Sequence, residues 1–251
     1  MLTSLVTLFT LGLSLGSFLG ACAYRIPRGI SIISTRSCCP NCDSRLGWME
    51  LIPLASFMFQ RGRCRSCQKV IPWRYPLFEI VVAAALVILF LLFIASSDFL
   101  LKSCFFLLLF LIGVIDWDFQ VIPNMVLVAG SLIGVTLKCV VDLPSLPGSI
   151  IAAFLSFGIA LSVRVLANLV LRREGLGMGD VKLAWLLGLF LGIKLFLVTF
   201  WAASLLGATY GLLRSREFRS DPLPFGSFLA VSGVLTFTFD ETVLNMFSVW
   251  F

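Results

Sequence analysis

Two aspartates and four cysteines hold most of the chemistry open to this sequence. Asp116 stands in Ile115-Asp-Trp-Asp-Phe-Gln-Val-Ile-Pro-Asn124, at the end of one apolar run. Asp180 follows Gly175-Leu-Gly-Met-Gly179, at the start of another. Carboxylates at membrane depth are costly and mark function. Two that face each other can share one proton, because both cannot ionise cheaply at close range. One then acts as base on a water while the other, protonated, polarises a peptide carbonyl. That is aspartic protease chemistry. Capping is the competing explanation: Asp116 or Asp118 can N-cap the helix after Pro123 or sit solvated in a loop, and Asp180 can cap the helix it begins.

The cysteines form two tight pairs, Cys39-Pro-Asn-Cys42 and Cys64-Arg-Ser-Cys67, with 21 residues between them. Each two-residue gap lets a knuckle present both sulfurs to one ion, and four thiolates suit a closed tetrahedral zinc site. Such a site leaves no position for substrate, so its work is structural. A redox pair is the alternative reading, with no thioredoxin-like surround to support it. Cys38 adjoins the tetrad as a possible mis-assigned ligand, whereas Cys22, Cys104 and Cys139 fall in apolar spans, where packing explains them.

Composition narrows the rest. The chain has 251 residues, 59% of them hydrophobic and 13% charged, with mean hydropathy +1.04. A soluble domain of that size cannot bury so much apolar surface. There is no histidine. That excludes a Ser-His-Asp or Cys-His mechanism, a His-ligated metal and an imidazole relay. The N-terminus Met1-Leu-Thr-Ser-Leu5 has no basic region, which argues against a cleaved secretory signal.

The elements that must position these residues are spans of about 20 apolar residues. Candidates are Leu2–Tyr24, Leu77–Ala95, Phe99–Ile115, Met125–Val141, Ser149–Leu171 and Phe225–Phe239. Val181–Leu213 is too long for one span, and Gly192 with Lys194 marks the turn inside it. The fold class expected is an all-α polytopic membrane protein of about eight transmembrane helices with a cytoplasmic zinc-ribbon-like loop. Its organisation is a first helix over 1–24, the tetra-Cys loop over 25–76 and a helical peptidase domain over 77–251. With both termini outside, the inner segments collect 15 of the 19 Lys and Arg, nine of them in Arg25–Arg74. That asymmetry supports the topology and keeps the loop thiols in a reducing compartment. The net charge of +6 thus marks a membrane face and not a nucleic-acid partner, since the loop lacks a basic run with interleaved aromatics.

The motifs in their order resemble the bacterial prepilin peptidases, the type IV leader peptidase family of aspartic intramembrane proteases. The similar blocks are Gly16-Ser-Phe-Leu-Gly-Ala-Cys-Ala-Tyr-Arg-Ile-Pro27, the two Cys pairs, Arg74-Tyr-Pro-Leu-Phe-Glu79, the Asp116 block, Gly175-Leu-Gly-Met-Gly-Asp-Val-Lys-Leu183 and Pro224-Phe-Gly-Ser-Phe-Leu-Ala230. Position 20 is Gly where many members have Asn, position 124 is Asn where many have Asp, and Ser227 replaces a frequent Pro.

The resemblance implies an endopeptidase that cuts the basic leader of type IV prepilins or type II secretion pseudopilins after Gly, at the cytoplasmic face of the bacterial inner membrane. It implies N-methylation of the new terminus from S-adenosylmethionine. Carried over, the catalytic acids are Asp116 and Asp180, with Asp118 and Lys182 as supporters, and Gly16 belongs to the methyl-transfer region. Zn is implied on Cys39, Cys42, Cys64 and Cys67. The expected partners are prepilin substrates and membrane lipid, with no nucleic acid. Glu79, Asp118 and Glu174 are candidates to receive the basic leader. Two rival readings remain: a proton- or cation-coupled transporter with a zinc-stapled loop, and an assembly factor that binds pilins without cutting them.

Overall fold

In hydrocarbon every backbone polar group must be satisfied within the segment, so long apolar runs fold as helices. The structure, a computed structural model, describes residues 2–94, 96, 98–171, 175–213 and 223–247. Among them, strand pairing is limited to the single bridges Cys38–Arg45 and Arg63–Val70. The chain divides into two units, Met1–Ala95 and Ser96–Phe251.

The first unit is a pair of long helices with a loop between them. Helix α1 runs Leu2–Arg25, a short α2 covers Ala55–Phe59, and α3 runs Arg74–Leu92. The second span belongs with the first because α1 packs on α3. A Cβ on Gly12 would lie 2.5 Å from the Ala83 Cα, so the backbones meet where small residues let them.

The second unit holds α4 (Asp98–Phe119), α5 (Asn124–Val141), α6 (Leu146–Leu171), α7 (Met178–Leu213), α8 (Phe225–Thr238) and α9 (Asp240–Phe247). Its core is α7, flanked by α6 and α8, and α8 also packs on α4. Here the helices are joined by buried polar pairs. The Thr199 and Thr236 hydroxyls lie 2.6 Å apart between α7 and α8. Lys102 is buried in α4 and pairs with Asp240 at 2.9 Å.

Among the described residues, six helices are long and apolar enough to cross a membrane, and α8 with α9, bent by 90°, makes a seventh if counted as one span. This is a multi-pass membrane protein. The expected count of eight is approximate, and its eighth member comes from dividing α7. The break falls where the sequence places it, at Gly192, whose φ of 74° and ψ of 172° only glycine adopts readily. The Met178–Leu213 range is thus two helices that meet at a kink at Gly192. The basic segments at 172–173 and 214–219, used for the topology, lie outside the described residues.

Candidate functional site

The sequence ends the third span at Ile115, but α4 continues to Phe119. That extra turn decides what Asp116 and Asp118 do. Residues two apart on a helix point about 200° apart, so Asp116 faces the bundle at 5% exposure while Asp118 is exposed. The helix stops at Gln120, which takes a left-handed φ of 54° and gives its N–H to the Asp116 carbonyl at 2.9 Å. Helix α5 then starts after Pro123 with no side-chain cap. Neither Asp116 nor Asp118 caps it.

Asp116 is held by the start of α8. The Ser227 N–H donates to Asp116 Oδ2 at 2.7 Å, and the Ser227 hydroxyl lies 3.1 Å from the same oxygen. That hydroxyl is also 2.9 Å from the Gly113 carbonyl, which joins α8 to α4 one turn below the acid. The approach depends on Gly226. A Cβ there would sit 2.9 Å from both Asp116 Cγ and Ile122 Cδ1. An N-terminal turn offers unpaired N–H groups and a positive end to a carboxylate.

Asp180 is held by its own helix. It stands in the first turn of α7 and accepts the Gly177 N–H at 3.2 Å. This is the return bond of a capping box, with Gly in the cap position. So the capping expectation for Asp180 is met by one oxygen. The Gly-rich loop that presents it is fastened from α6. Arg164 Nη1 donates to the Leu176 carbonyl at 2.6 Å, and the Gly175 N–H reaches Asn168 Oδ1 at 3.2 Å. Arg164, which the sequence shows only as a charge inside a span, is thus the clamp of this loop.

The two acids lie within electrostatic range of each other. Asp116 and Arg164 are both close enough to Asp180 to act on it through space. Ile122 packs against both helix starts: the Gly226 Cβ position lies 2.9 Å from its Cδ1, and the Gly179 Cβ position lies 3.2 Å from its Cβ. Lys182 ties the first turns of α7 and α5 by donating to Asn124 Oδ1 at 2.9 Å. Asp116 is buried and Asp180 half-buried, and each is oriented by a backbone N–H at a helix start; two such carboxyls can share a proton across a bound water. Ser227, Gly226, Ile122 and Arg164 were not singled out as site residues from the sequence. Only the Pro224–Ala230 block and the intramembrane charge of Arg164 hinted at them.

In the first unit, the four Sγ atoms of Cys39, Cys42, Cys64 and Cys67 lie within 4.8 Å of one another. Cys39 and Cys67 are 3.9 Å apart. A tetrahedron with Zn–S bonds of about 2.3 Å has edges of about 3.8 Å, so the group can hold a metal ion. The two knuckles repeat one design. Cys39 accepts the N–H groups of Asn41 and Cys42, and Cys64 those of Cys67 and Ser66. The next residues, Asp43 and Gln68, take positive φ of 53° and 58° and return their N–H groups to the Cys39 and Cys64 carbonyls at 2.9 Å. The Cys67 and Ser66 N–H groups draw the Cys64 thiol down from its ordinary 9.0 to about 6. Its neighbour Cys39, in hydrogen-bond contact with Cys64 and Cys42, is pushed the other way, to about 11, so the sulfurs share protons that a metal would displace. Cys38 is exposed and outside this group.

Gly16 packs against α3: a Cβ there would lie 2.6 Å from Glu79 Cα and 2.8 Å from the Phe78 carbonyl. Glu79 is buried and accepts the Leu54 N–H at 2.8 Å, so it is engaged within the first unit. Glu174 lies outside the described residues.

Comparison with known proteins divides the chain near the same place as its structure. Residues 10–93 match the model of the bacterial peptidase A24 N-terminal domain, and residues 103–212 match that of the type IV leader peptidase family. A prepilin leader peptidase/N-methyltransferase of Bacillus subtilis is 33% identical over 243 residues, 96% of either chain. One of Aeromonas hydrophila is 28% identical over 271 aligned residues, covering 97% of this chain and 93% of its own. A type 4 prepilin-like proteins leader peptide-processing enzyme of Escherichia coli is 32% identical over 247 residues, 90% of each. No solved structure matches the chain.

Proposed function

The chain belongs to the type IV leader peptidase family, and on that premise we propose that Asp116 and Asp180 hydrolyse the leader peptide bond of a prepilin or pseudopilin. The observation that carries the reading is that Asp116 of α4 and Asp180 of α7 lie within electrostatic range of each other, each held by a helix-start N–H group. One carboxylate takes a proton from water, and the water oxygen attacks the carbonyl carbon of the Gly that ends the leader. The other, protonated, donates to the carbonyl oxygen. The C–N bond then breaks, and the proton taken from water passes to the leaving amine. Ser227 holds Asp116 in place without entering the chemistry, and Arg164 holds the loop that presents Asp180. Asp118 and Lys182 do not touch the reacting atoms in this account. The relatives give no support to the transporter alternative. An assembly factor that only binds pilins has no use for the paired acids.

The enzyme works in the bacterial inner membrane, with the metal loop on the cytoplasmic side, where the basic leader of the substrate lies. Cys39, Cys42, Cys64 and Cys67 would hold a zinc ion that braces the loop and leaves no ligand position for substrate. The names of the relatives extend the activity to N-methylation, for which S-adenosylmethionine supplies the methyl group to the new amine. Gly16, the position carried over for that step, acts by setting the approach of α1 to α3, since its Cβ site is filled by Glu79 backbone.

Two tests follow. The purified chain, mixed with a prepilin, releases a leader-sized fragment without S-adenosylmethionine and adds one methyl to the mature chain when it is supplied. An intact prepilin after prolonged incubation contradicts the assignment. Separately, Gly226→Ala forces a methyl group to within 2.9 Å of Asp116 Cγ. A displacement near 1 Å at the acid costs about a hundredfold in cleavage rate. An unchanged rate means that Ser227 and Gly226 do not set the position of Asp116.

A further inference from the structure

The loop of the first unit reaches down to the membrane at a place defined by one hydrogen bond. Leu54 sits in a tight turn with φ 58° and ψ −48°, closed by the Ala55 N–H on the Pro53 carbonyl at 2.6 Å. Such three-residue turns are strained and need outside support. The support is Glu79, which accepts the Leu54 N–H at 2.8 Å. Glu79 stands five residues into α3, about 7.5 Å along the helix from Arg74. Helix α3 has 19 residues. That is barely the length of the hydrocarbon core, so none of it can be spared for water. Leu54 therefore lies at or below the level of the lipid headgroups, and α2 follows directly from it. The Phe57 ring packs edge-on against Trp73 at 4.9 Å, which pins α2 to the first residues before the span.

Beside this turn the structure exposes apolar side chains. Met58 is 75% and Phe59 is 88% exposed, and Trp48 and Met49 stand clear beside them. Met49 and Phe59 line a cleft of about 440 Å³ whose other wall carries Arg61, Arg63 and Arg65. The acid in that cleft, Glu50, is turned to the Gly47 N–H at 2.8 Å. Apolar tips beside a run of arginines match a leaflet of anionic lipid: acyl chains for the tips, headgroup phosphates for the guanidinium groups. A basic substrate leader is repelled by the same charges.

We propose that Trp48–Arg65 is a membrane-interface anchor, in which Met58 and Phe59 enter the leaflet and Arg61, Arg63 and Arg65 bind the phosphates of anionic phospholipid. The anchor holds the metal-bearing loop against the membrane independently of the peptidase assignment.

The test uses the full chain in nanodiscs of phosphatidylcholine, with or without phosphatidylglycerol, and reads hydrogen exchange of residues 48–65. Phosphatidylglycerol is expected to slow exchange there by about tenfold. The triple variant Arg61→Gln, Arg63→Gln, Arg65→Gln is expected to lose that dependence while keeping its metal. Met58→Asp with Phe59→Asp is expected to lose protection in both lipids. Equal exchange in the two lipids for the wild-type chain overturns the proposal. So does protection by inorganic phosphate alone, which marks a free anion site. Protection that follows the number of chains per disc overturns it too, in favour of a contact between copies.

Discussion

Asp116→Asn and Asp180→Asn each lower leader cleavage by about ten-thousandfold, and the double variant falls no further, because the two acids act as one unit. Asparagine keeps the size of the side chain and an oxygen for the N–H donors. For Asp116 those donors come from Ser227 and for Asp180 from Gly177. The fold is therefore retained, and thermal unfolding of the variants stays close to that of the parent chain. What is lost is the ability to take up or give a proton. Asp118→Asn, whose side chain leaves the opposite side of α4, keeps the parent rate. Single-turnover cleavage of a prepilin measures all four chains. A single Asn variant with substantial activity, or losses that multiply in the double variant, would show that the acids work separately.

The second large effect concerns the loop. The purified chain carries about one zinc, and Cys39→Ser or Cys64→Ser loses it. A structural zinc on four thiolates contributes on the order of 10 kcal/mol or more. That is comparable with the whole stability of a small domain. The loop between α1 and α3 has a few short turns and little apolar core of its own, and many of its large apolar side chains point outward. Without the metal it is expected to open to protease at Arg45 and Arg61, while the long helices resist. Elemental analysis paired with limited proteolysis checks this. A metal-free preparation whose loop still resists protease contradicts a structural metal.

Much of this was legible in the sequence, for reasons that differ by residue. The long apolar runs could only be helices, and Gly192 marked the break in α7 because a run of that length cannot be one span. The paired cysteines read as one site because two-residue gaps fix the geometry of a knuckle, and the four sulfurs do meet. Asp116 and Asp180 were legible as costly charges at span ends. What the sequence hid was depth and partnership. It ended the third span at Ile115, whereas α4 runs on to Phe119 and turns Asp116 inward. The difference lies in Gln120, a residue with no turn preference strong enough to announce a left-handed stop. Nothing local shows that Asp240 folds back beside Lys102. Arg164 and Ser227 are polar residues in apolar runs, and their partners lie 12 and 111 residues away. Partners at such separations are set by packing, which no local pattern encodes.

The central claim is that two carboxyls activate a water against the leader peptide bond. It is tested most directly by a single turnover in water enriched in oxygen-18. After that turnover, the masses of the released leader and of the peptides holding Asp116 and Asp180 are read. The account predicts heavy oxygen in the new terminal carboxylate of the leader and none in either aspartate. Heavy oxygen in Asp116 or Asp180 would mean that an aspartate itself attacks the carbonyl, and a leader that is never released would mean that the pair is not a peptidase site.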